Sequence, residues 1–281
     1  MDLGTPRVMG VLNITPDSFS DGGRFLCADA ALRQAEAMVE AGADLIDIGG
    51  ESTRPGAEPV SDREEIRRVM PVIEAITRRF SVLLSVDTSK PAVMRAAADA
   101  GVGLINDVRA LRAPGALDAA RDTGLAVCLM HMQGEPRHMQ DDPRYGDVID
   151  DVRIFLQERV AACRNAGIGS DRLLVDPGFG FGKTLQHNLA ILARLTELAD
   201  LGVPLLAGLS RKSMLGAITG RPASQRTVAS VAAAMIAVQR GAAIVRVHDV
   251  AETVDALAVW RAIETAERRP RTAVEVGGEN L

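Results

Sequence analysis

The chain carries 281 residues, 47% of them hydrophobic and 25% charged, with a formal net charge of -5. That balance suits a folded globular protein with a sizeable core and excludes global disorder. Its acidic sign argues against a nucleic-acid partner, which would require a basic stripe, but leaves room for a local cationic pocket.

The chain-order pattern alternates β-branched runs with amphipathic segments. Strands are predicted at 7–12, 44–48, 82–86, 103–106, 126–130, 172–175, 204–208 and 243–247. They are apolar on both parities, as parallel strands covered on both faces are. Helices are predicted at 28–40, 62–79, 91–100, 116–122, 148–165, 185–200, 227–240 and 254–267. A polar cap precedes the second, and a proline opens the third. Eight such pairs with no linker between them favour a single-domain (β/α)8 barrel, a TIM barrel, over an open doubly wound sheet. The barrel is expected over residues 1–270, and 271–281 reads as a polar, mobile tail.

Cys27, Cys128 and Cys163 lie far apart and make no zinc motif, redox motif or disulfide framework, which points to a reducing, cytoplasmic setting. Neither a secretory signal nor an apolar stretch of membrane-spanning length is present, so no membrane partner is expected. Of 32 lysines and arginines only three are lysine: Lys90, Lys183 and Lys212. Genomic base composition explains most of that bias. A lysine retained in such a background is nevertheless slightly more apt to need a compact ammonium that arginine cannot imitate. Lys90, at a helix start, reads as a solvated helix-end charge whose exchange for arginine should be nearly silent.

The polar residues fall at the strand ends, which in a barrel meet at one face. They read Asn13; Gly49-Gly50-Glu51; Asp87-Thr88; Asn106-Asp107; His131; Asp176-Pro177-Gly178; Ser210-Arg211-Lys212; and Arg246-Val247-His248-Asp249. Helix capping explains Asp87 alone and a turn explains Asn106 alone. Asp87, Asn106 and Asp176 together make a polar pocket suited to a neutral ligand rich in N–H groups. Ser210 to Ser213 and Arg246 with His248 follow strands seven and eight, where this fold commonly binds anions. The residues 49–56 add glycines, hydroxyls and Arg54 that suit an anion. Phe19, an aromatic among small polar residues, reads either as a loop anchor or as a cover for a bound ring. The histidines form no metal-binding pair, and His131 and His138 read as turn or core residues.

These residues also resemble a known family. Val11-Leu12-Asn13-Ile14-Thr15-Pro16-Asp17-Ser18-Phe19-Ser20-Asp21-Gly22-Gly23 is similar to the first signature of the dihydropteroate synthases, and Asp47 to Gly56 to the second. The segments at Asp87, Asn106-Asp107, 176–183, 210–212 and 246–249 match in order, so the resemblance spans roughly residues 7–267. It implies a transferase that joins 6-hydroxymethyl-7,8-dihydropterin diphosphate to 4-aminobenzoate, giving 7,8-dihydropteroate and pyrophosphate by an SN1-like route. It also implies Mg²⁺, a homodimer and inhibition by sulfonamides. Carried over to this sequence, the resemblance assigns Asp87, Asn106, Asp176, Phe181 and Lys212 to the pterin. Asn13, Thr53, Arg54, Arg246 and His248 fall to the diphosphate, with Asn13 as metal ligand. Phe19, Thr53, Pro55 and Ser213 fall to 4-aminobenzoate. Lys212, Asp87, Arg246 and His248 take the catalytic part. The rival readings are a pterin-dependent methyltransferase domain, a catalytically silent pterin-binding paralogue, and, more weakly, a phosphate-sugar lyase using Lys212 as a Schiff base.

Overall fold

The β-branched runs form eight parallel strands because each is buried on both sides. β1 (Arg7–Asn13), β2 (Leu45–Gly49), β3 (Leu83–Asp87), β4 (Leu104–Asp107), β5 (Ala126–Met130), β6 (Leu173–Asp176), β7 (Leu205–Ala207) and β8 (Ala242–Val247) pair in sequence order. β8 returns to β1, closing the barrel. The computed structural model describes residues 1–14, 24–53 and 56–268. The expected division between barrel and tail at 270/271 lies outside them.

Helices α1 (Arg24–Glu40), α2 (Asp62–Arg79), α3 (Pro91–Asp99), α4 (Ala116–Thr123), α5 (Val148–Asn165), α6 (Leu185–Ala193), α7 (Ser213–Thr219), α8 (Thr227–Gln239) and α9 (Val250–Arg268) surround the strands. Local chemistry sets several starts. Ser61 caps α2 by accepting from Glu64 N, and Asp147 caps α5 by accepting from the N–H groups of Ile149 and Asp150. Thr184 and His187 form a reciprocal box at the start of α6.

The element reading holds with four differences, the first of which is that α1 starts at Arg24, four residues before the expected 28. The helix expected over 185–200 stops at Ala193 and continues as a 3₁₀ turn, Leu195–Leu201. At the break, the Arg194 guanidinium binds Glu197 and Asp147, the cap of α5. α7 was not expected: its seven residues are too short for a clear period, and Gly216 interrupts them. α9 starts at Val250, four residues before the apolar periodicity becomes visible.

Two apolar layers hold the barrel. Inside, Met9, Leu45, Leu104, Cys128, Leu174, Leu206 and Ile244 plug its lower half. A larger shell, including Ile46, Ile48, Val86, Ile105, Val127, Leu129 and Val245, packs the strands against the helices. The plug confines polar side chains to the upper half, and the register sets their levels. Asn13 aligns with Gly49, Gly49 with Asp87, and Asp87 with Asn106. Asp47 lies two residues below that level, aligned with Ser85.

Lys90 departs from the expectation of a solvated charge. Its Nζ bridges Glu51, just beyond β2, and Glu65 on α2, whose side chain is fully buried. Glu51 also accepts from Val60 N at 3.1 Å, so this ammonium ties down both ends of the β2–α2 connection. Lys90→Met should therefore leave two facing carboxylates without a cation and cost about 2 kcal/mol or more, since removing one partner of a buried pair exposes the full penalty of the other. A thermal midpoint unchanged from the parent's would refute that.

Candidate active site

The strand ends converge at one mouth, where their charges are organised in layers. At the lower level Arg246 of β8 donates from Nε to Asp47 Oδ2 at 2.6 Å and from Nη2 to Asp87 Oδ2 at 3.0 Å. Asp47 is fully buried, whereas Asp87 and Arg246 retain 10% and 21% exposure. Burial, followed by the like charge of Asp47, raises the pKa of Asp87, and Arg246 opposes the shift. Asp87 is thus held by Arg246 instead of capping α3, whose N-cap is Lys90. Sequence reasoning passed over Asp47, although a carboxylate in the middle of an apolar strand was a visible signal.

Asn106 donates from Nδ2 to Asp47 Oδ2 at 3.0 Å. Its carbonyl oxygen is left as an acceptor. Asp107, its neighbour, does different work. Ser89 Oγ and the N–H groups of Arg109 and Leu111 all reach its buried carboxylate. It fixes a loop in which Ala110 and Leu111 have positive φ.

Asp176 ends β6 and is 5% exposed. Oδ1 accepts from Gly178 N at 2.7 Å, while Oδ2 has no partner among the described residues. Burial raises its pKa, and the Gly178 N–H, Lys212 and Lys183 oppose that. Lys212 precedes α7, and its Nζ stands 4.1 Å from the centre of the Phe181 ring, within cation–π range. Burial and Arg246 lower the Lys212 pKa to about 8, against the pull of Asp176 and Asp87. Acceptors on Asp87, Asn106 and Asp176 thus face a mouth that also holds an ammonium seated on an aromatic ring.

The cationic side of the mouth is smaller than its sequence suggested. Arg211 turns away to Asp249, its Nη2 at 2.6 Å from Oδ1. His248 is neutral, its pKa lowered to about 4 by burial and then by Arg246. Ser210 Oγ accepts from His248 N at 3.1 Å and lies 3.0 Å from Nδ1. In the tautomer in which that hydroxyl donates to Nδ1, the ring proton sits on Nε2 and is available to an anion. Arg246 spends two of its nitrogens on carboxylates, and Nη1 has no partner among the described residues.

Asn13 stands beside Gly49, where a Cβ would lie 3.7 Å from Asn13 Oδ1 and 3.5 Å from Asp87 Cβ. Asn13 has no hydrogen-bond partner among the described residues for its amide. Thr53 is partly exposed beyond β2, and Ser213 is exposed at the start of α7. Phe19, Arg54 and Pro55 lie outside the described residues.

Comparison with known proteins agrees with this arrangement. The family model described as pterin binding enzyme matches residues 9–248. Dihydropteroate synthase of Haemophilus influenzae is 56% identical over 266 residues, covering 95% of this chain and 97% of its own. The crystal structure of Yersinia pestis dihydropteroate synthase with a sulfonamide drug superposes with a TM-score of 0.90 at 56% identity, over 94% of this chain and 96% of that one. Dihydropteroate synthase from Xanthomonas albilineans in complex with 7,8-dihydropteroate does so with a TM-score of 0.86 at 52% identity, over 96% and 97%. By these matches over nearly its whole length, the chain belongs to the pterin-binding enzymes and, within them, to the dihydropteroate synthases.

Proposed function

We propose that the mouth joins 6-hydroxymethyl-7,8-dihydropterin diphosphate to 4-aminobenzoate, releasing pyrophosphate and 7,8-dihydropteroate, and that the residues divide the work as follows. The observation that carries the reading is that Asp87 Oδ1, Asn106 Oδ1 and Asp176 Oδ2, acceptors with no partner among the described residues, share the mouth with the Lys212 ammonium. Asp176 Oδ2 and Asn106 Oδ1 accept from the pterin's N–H edge, Lys212 donates to its ring acceptors, and Phe181 covers a face of the ring.

The bond between the pterin's methylene carbon and the diphosphate oxygen breaks first, and pyrophosphate takes the electron pair. The buried carboxylates stabilise the pterin-methylene cation that remains. Arg246 Nη1, His248 Nε2 and Thr53 bind the leaving anion. The arylamine nitrogen then attacks the methylene carbon with its lone pair, and the resulting ammonium loses one proton to water. Ser213 and Thr53 contribute to the 4-aminobenzoate subsite, with Phe19 and Pro55 assigned to it by family resemblance and Arg54 assigned to the diphosphate in the same way. Sulfonamides compete for that subsite.

The Asn13 amide oxygen is a hard donor of the kind Mg²⁺ takes. No cluster of three or more His, Cys, Asp or Glu able to hold a metal occurs among the described residues. The residues therefore fit a cation shared with the diphosphate, in which Asn13 is one ligand and substrate oxygens supply others. When bound, the cation neutralises charge on the departing diphosphate.

A homodimer belongs to the same reading. Exposed Ile218, Val228, Val259 and Ile263 lie on α7, α8 and α9, successive helices that pack side by side. Free, buried Cys128 and Cys163 support a reducing cytoplasm, and no described helix is long and apolar enough to cross a membrane.

The test is incubation of the full chain with the pterin diphosphate, 4-aminobenzoate and Mg²⁺, with mass detection of dihydropteroate. Product should form, and chelation of the metal should suppress it. Mg²⁺ should bind the empty protein much more weakly than the diphosphate complex. Pterin binding without product would instead assign a silent paralogue.

A further inference from the structure

Lys183 ends the glycine-rich loop that follows β6 and stands just before Thr184, the cap of α6. Its residue is 3% exposed, and its ammonium turns back into its own loop. Nζ donates to Gly178 O at 2.9 Å and to Phe181 O at 3.0 Å, and it lies 2.9 Å from His131 Nδ1. The His131 carbonyl oxygen lies farther off, at 3.5 Å; an ammonium has three protons and no acceptor, so the three nearer partners use all of them. His131 then offers a lone pair at Nδ1, which requires the neutral ring. Burial and the neighbouring Lys183 charge do hold the His131 pKa down to about 2.

The gripped carbonyls are the consequential ones. Gly178 supplies the N–H that orients Asp176 Oδ1 at 2.7 Å. Phe181 supplies the ring beneath Lys212 Nζ. Other carbonyls of the loop are held elsewhere: Tyr145 Oη donates to Gly182 O at 2.7 Å, and Asn188 Nδ2 to Lys183 O at 3.3 Å. The glycines allow the curl. Gly178 has φ +68°, and a Cβ there would collide with the His131 carbonyl oxygen.

We propose that Lys183 is a positioning residue for the pterin: its ammonium fixes the loop at 178–183 so that the Asp176 carboxylate and the Phe181–Lys212 stack present one recognition surface. The inference rests on the pterin reading above. Arginine cannot take this place, because a planar fork does not direct donors to three partners arranged around one nitrogen.

The charge has a second effect. The groups that face Lys183 are His131 beyond β5, Asp176 on β6 and Lys212 before α7; Arg112 beyond β4 acts on His131, and Tyr145 before α5 touches the His131 ring and holds Gly182 O. Burial and Lys212 lower the Lys183 pKa to about 7, and Asp176 opposes them. Reciprocally, the Lys183 charge favours the ionised Asp176. Without it, the Asp176 pKa rises, and the acid limb of pterin binding moves to higher pH.

The experiment titrates the full chain with 6-hydroxymethyl-7,8-dihydropterin, which lacks the diphosphate, across pH, and separately with pyrophosphate and Mg²⁺. Lys183→Met should bind the pterin about tenfold more weakly or worse, since hydrogen bonds from a charged group are among the strong ones. Its acid limb should shift upward, while pyrophosphate affinity stays at the parent's value. His131→Leu should weaken pterin binding, and His131→Asn, whose amide oxygen stands near the place of Nδ1, should restore it. Pterin affinity within about twofold of the parent in Lys183→Met, with the acid limb unmoved, overturns the inference. If that variant does not fold, equal affinities in His131→Leu and His131→Asn overturn it, and a difference in favour of asparagine supports it. A parent chain that binds no pterin removes the underlying reading as well; a parent that binds it beside an equally competent Lys183→Met removes this inference alone.

Discussion

Arg246→Leu is expected to cost about 3–5 kcal/mol at neutral pH and to abolish turnover, because it strands two carboxylates in the barrel. Asp47 is fully buried and Asp87 nearly so, and Arg246 is the cation that reaches both. The pH dependence has a definite sign. Asp87 already has its pKa raised by burial and by Asp47, and removing Arg246 raises it further. An acid whose pKa is higher in the folded than in the unfolded state destabilises the fold when ionised and ceases to do so once protonated. The deficit of the variant is therefore largest above the folded-state pKa of Asp87 and shrinks as pH falls through it. Thermal melts of parent and variant at pH 8 and pH 5 should show the gap narrowing in acid. Adding Asp47→Asn and Asp87→Asn should recover stability but not activity. A gap that is absent at pH 8, or constant between the two conditions, would show that the three charges are not coupled as drawn.

The barrel was legible because its signals are periodic and local. Apolar runs too short for helices recur between amphipathic segments, and polar residues gather at one end of each run. The boundaries of α2 and α5 follow from their caps, Ser61 and Asp147, which announce themselves in sequence. α7 was not legible, since seven residues carry too little period.

The site was legible to the extent that strand ends share a face. Asn13, Asp87, Asn106, Asp176, Lys212, Arg246 and His248 do meet there. What sequence could not give is pairing across the barrel. Arg246 and Asp47 are 199 positions apart, and only barrel closure through β8 and β1 brings them together. That pairing changes the reading of Arg246 from a free anion-binding cation to one that first neutralises carboxylates. The same limit misjudged Lys90, whose partners Glu51 and Glu65 come from the preceding connection and α2. The scarcity of lysine was a better guide than its local context. Each of the three lysines proves to be an ammonium with converging partners or a ring beneath it.

Asp176→Asn should lose pterin affinity by at least about tenfold, because a hydrogen bond to a charged group is worth roughly 1.5–3 kcal/mol. The geometry says why the near-isosteric amide fails. Gly178 N donates to Oδ1 at 2.7 Å, so the amide oxygen of the variant is drawn to that side. Its NH₂ group then takes the place of Oδ2 and confronts the pterin N–H edge donor to donor. The fold should survive, since the Gly178 bond is kept. The loss in kcat/KM should exceed the loss in affinity, because the pterin-methylene cation that the Asp176 charge favours exists only on the way to product. A further consequence appears at high pH. The Asp176 charge supports the Lys212 ammonium, whose pKa stands at about 8. Its removal lets burial and Arg246 lower that pKa further, so the alkaline limb of kcat/KM moves to lower pH in the variant. Pterin titrations and pH–rate profiles of the two proteins, with circular dichroism to confirm folding, separate these effects. Unchanged pterin affinity in a folded variant would remove Asp176 from the pterin edge, and an alkaline limb that stays in place would show that Lys212 does not feel its charge.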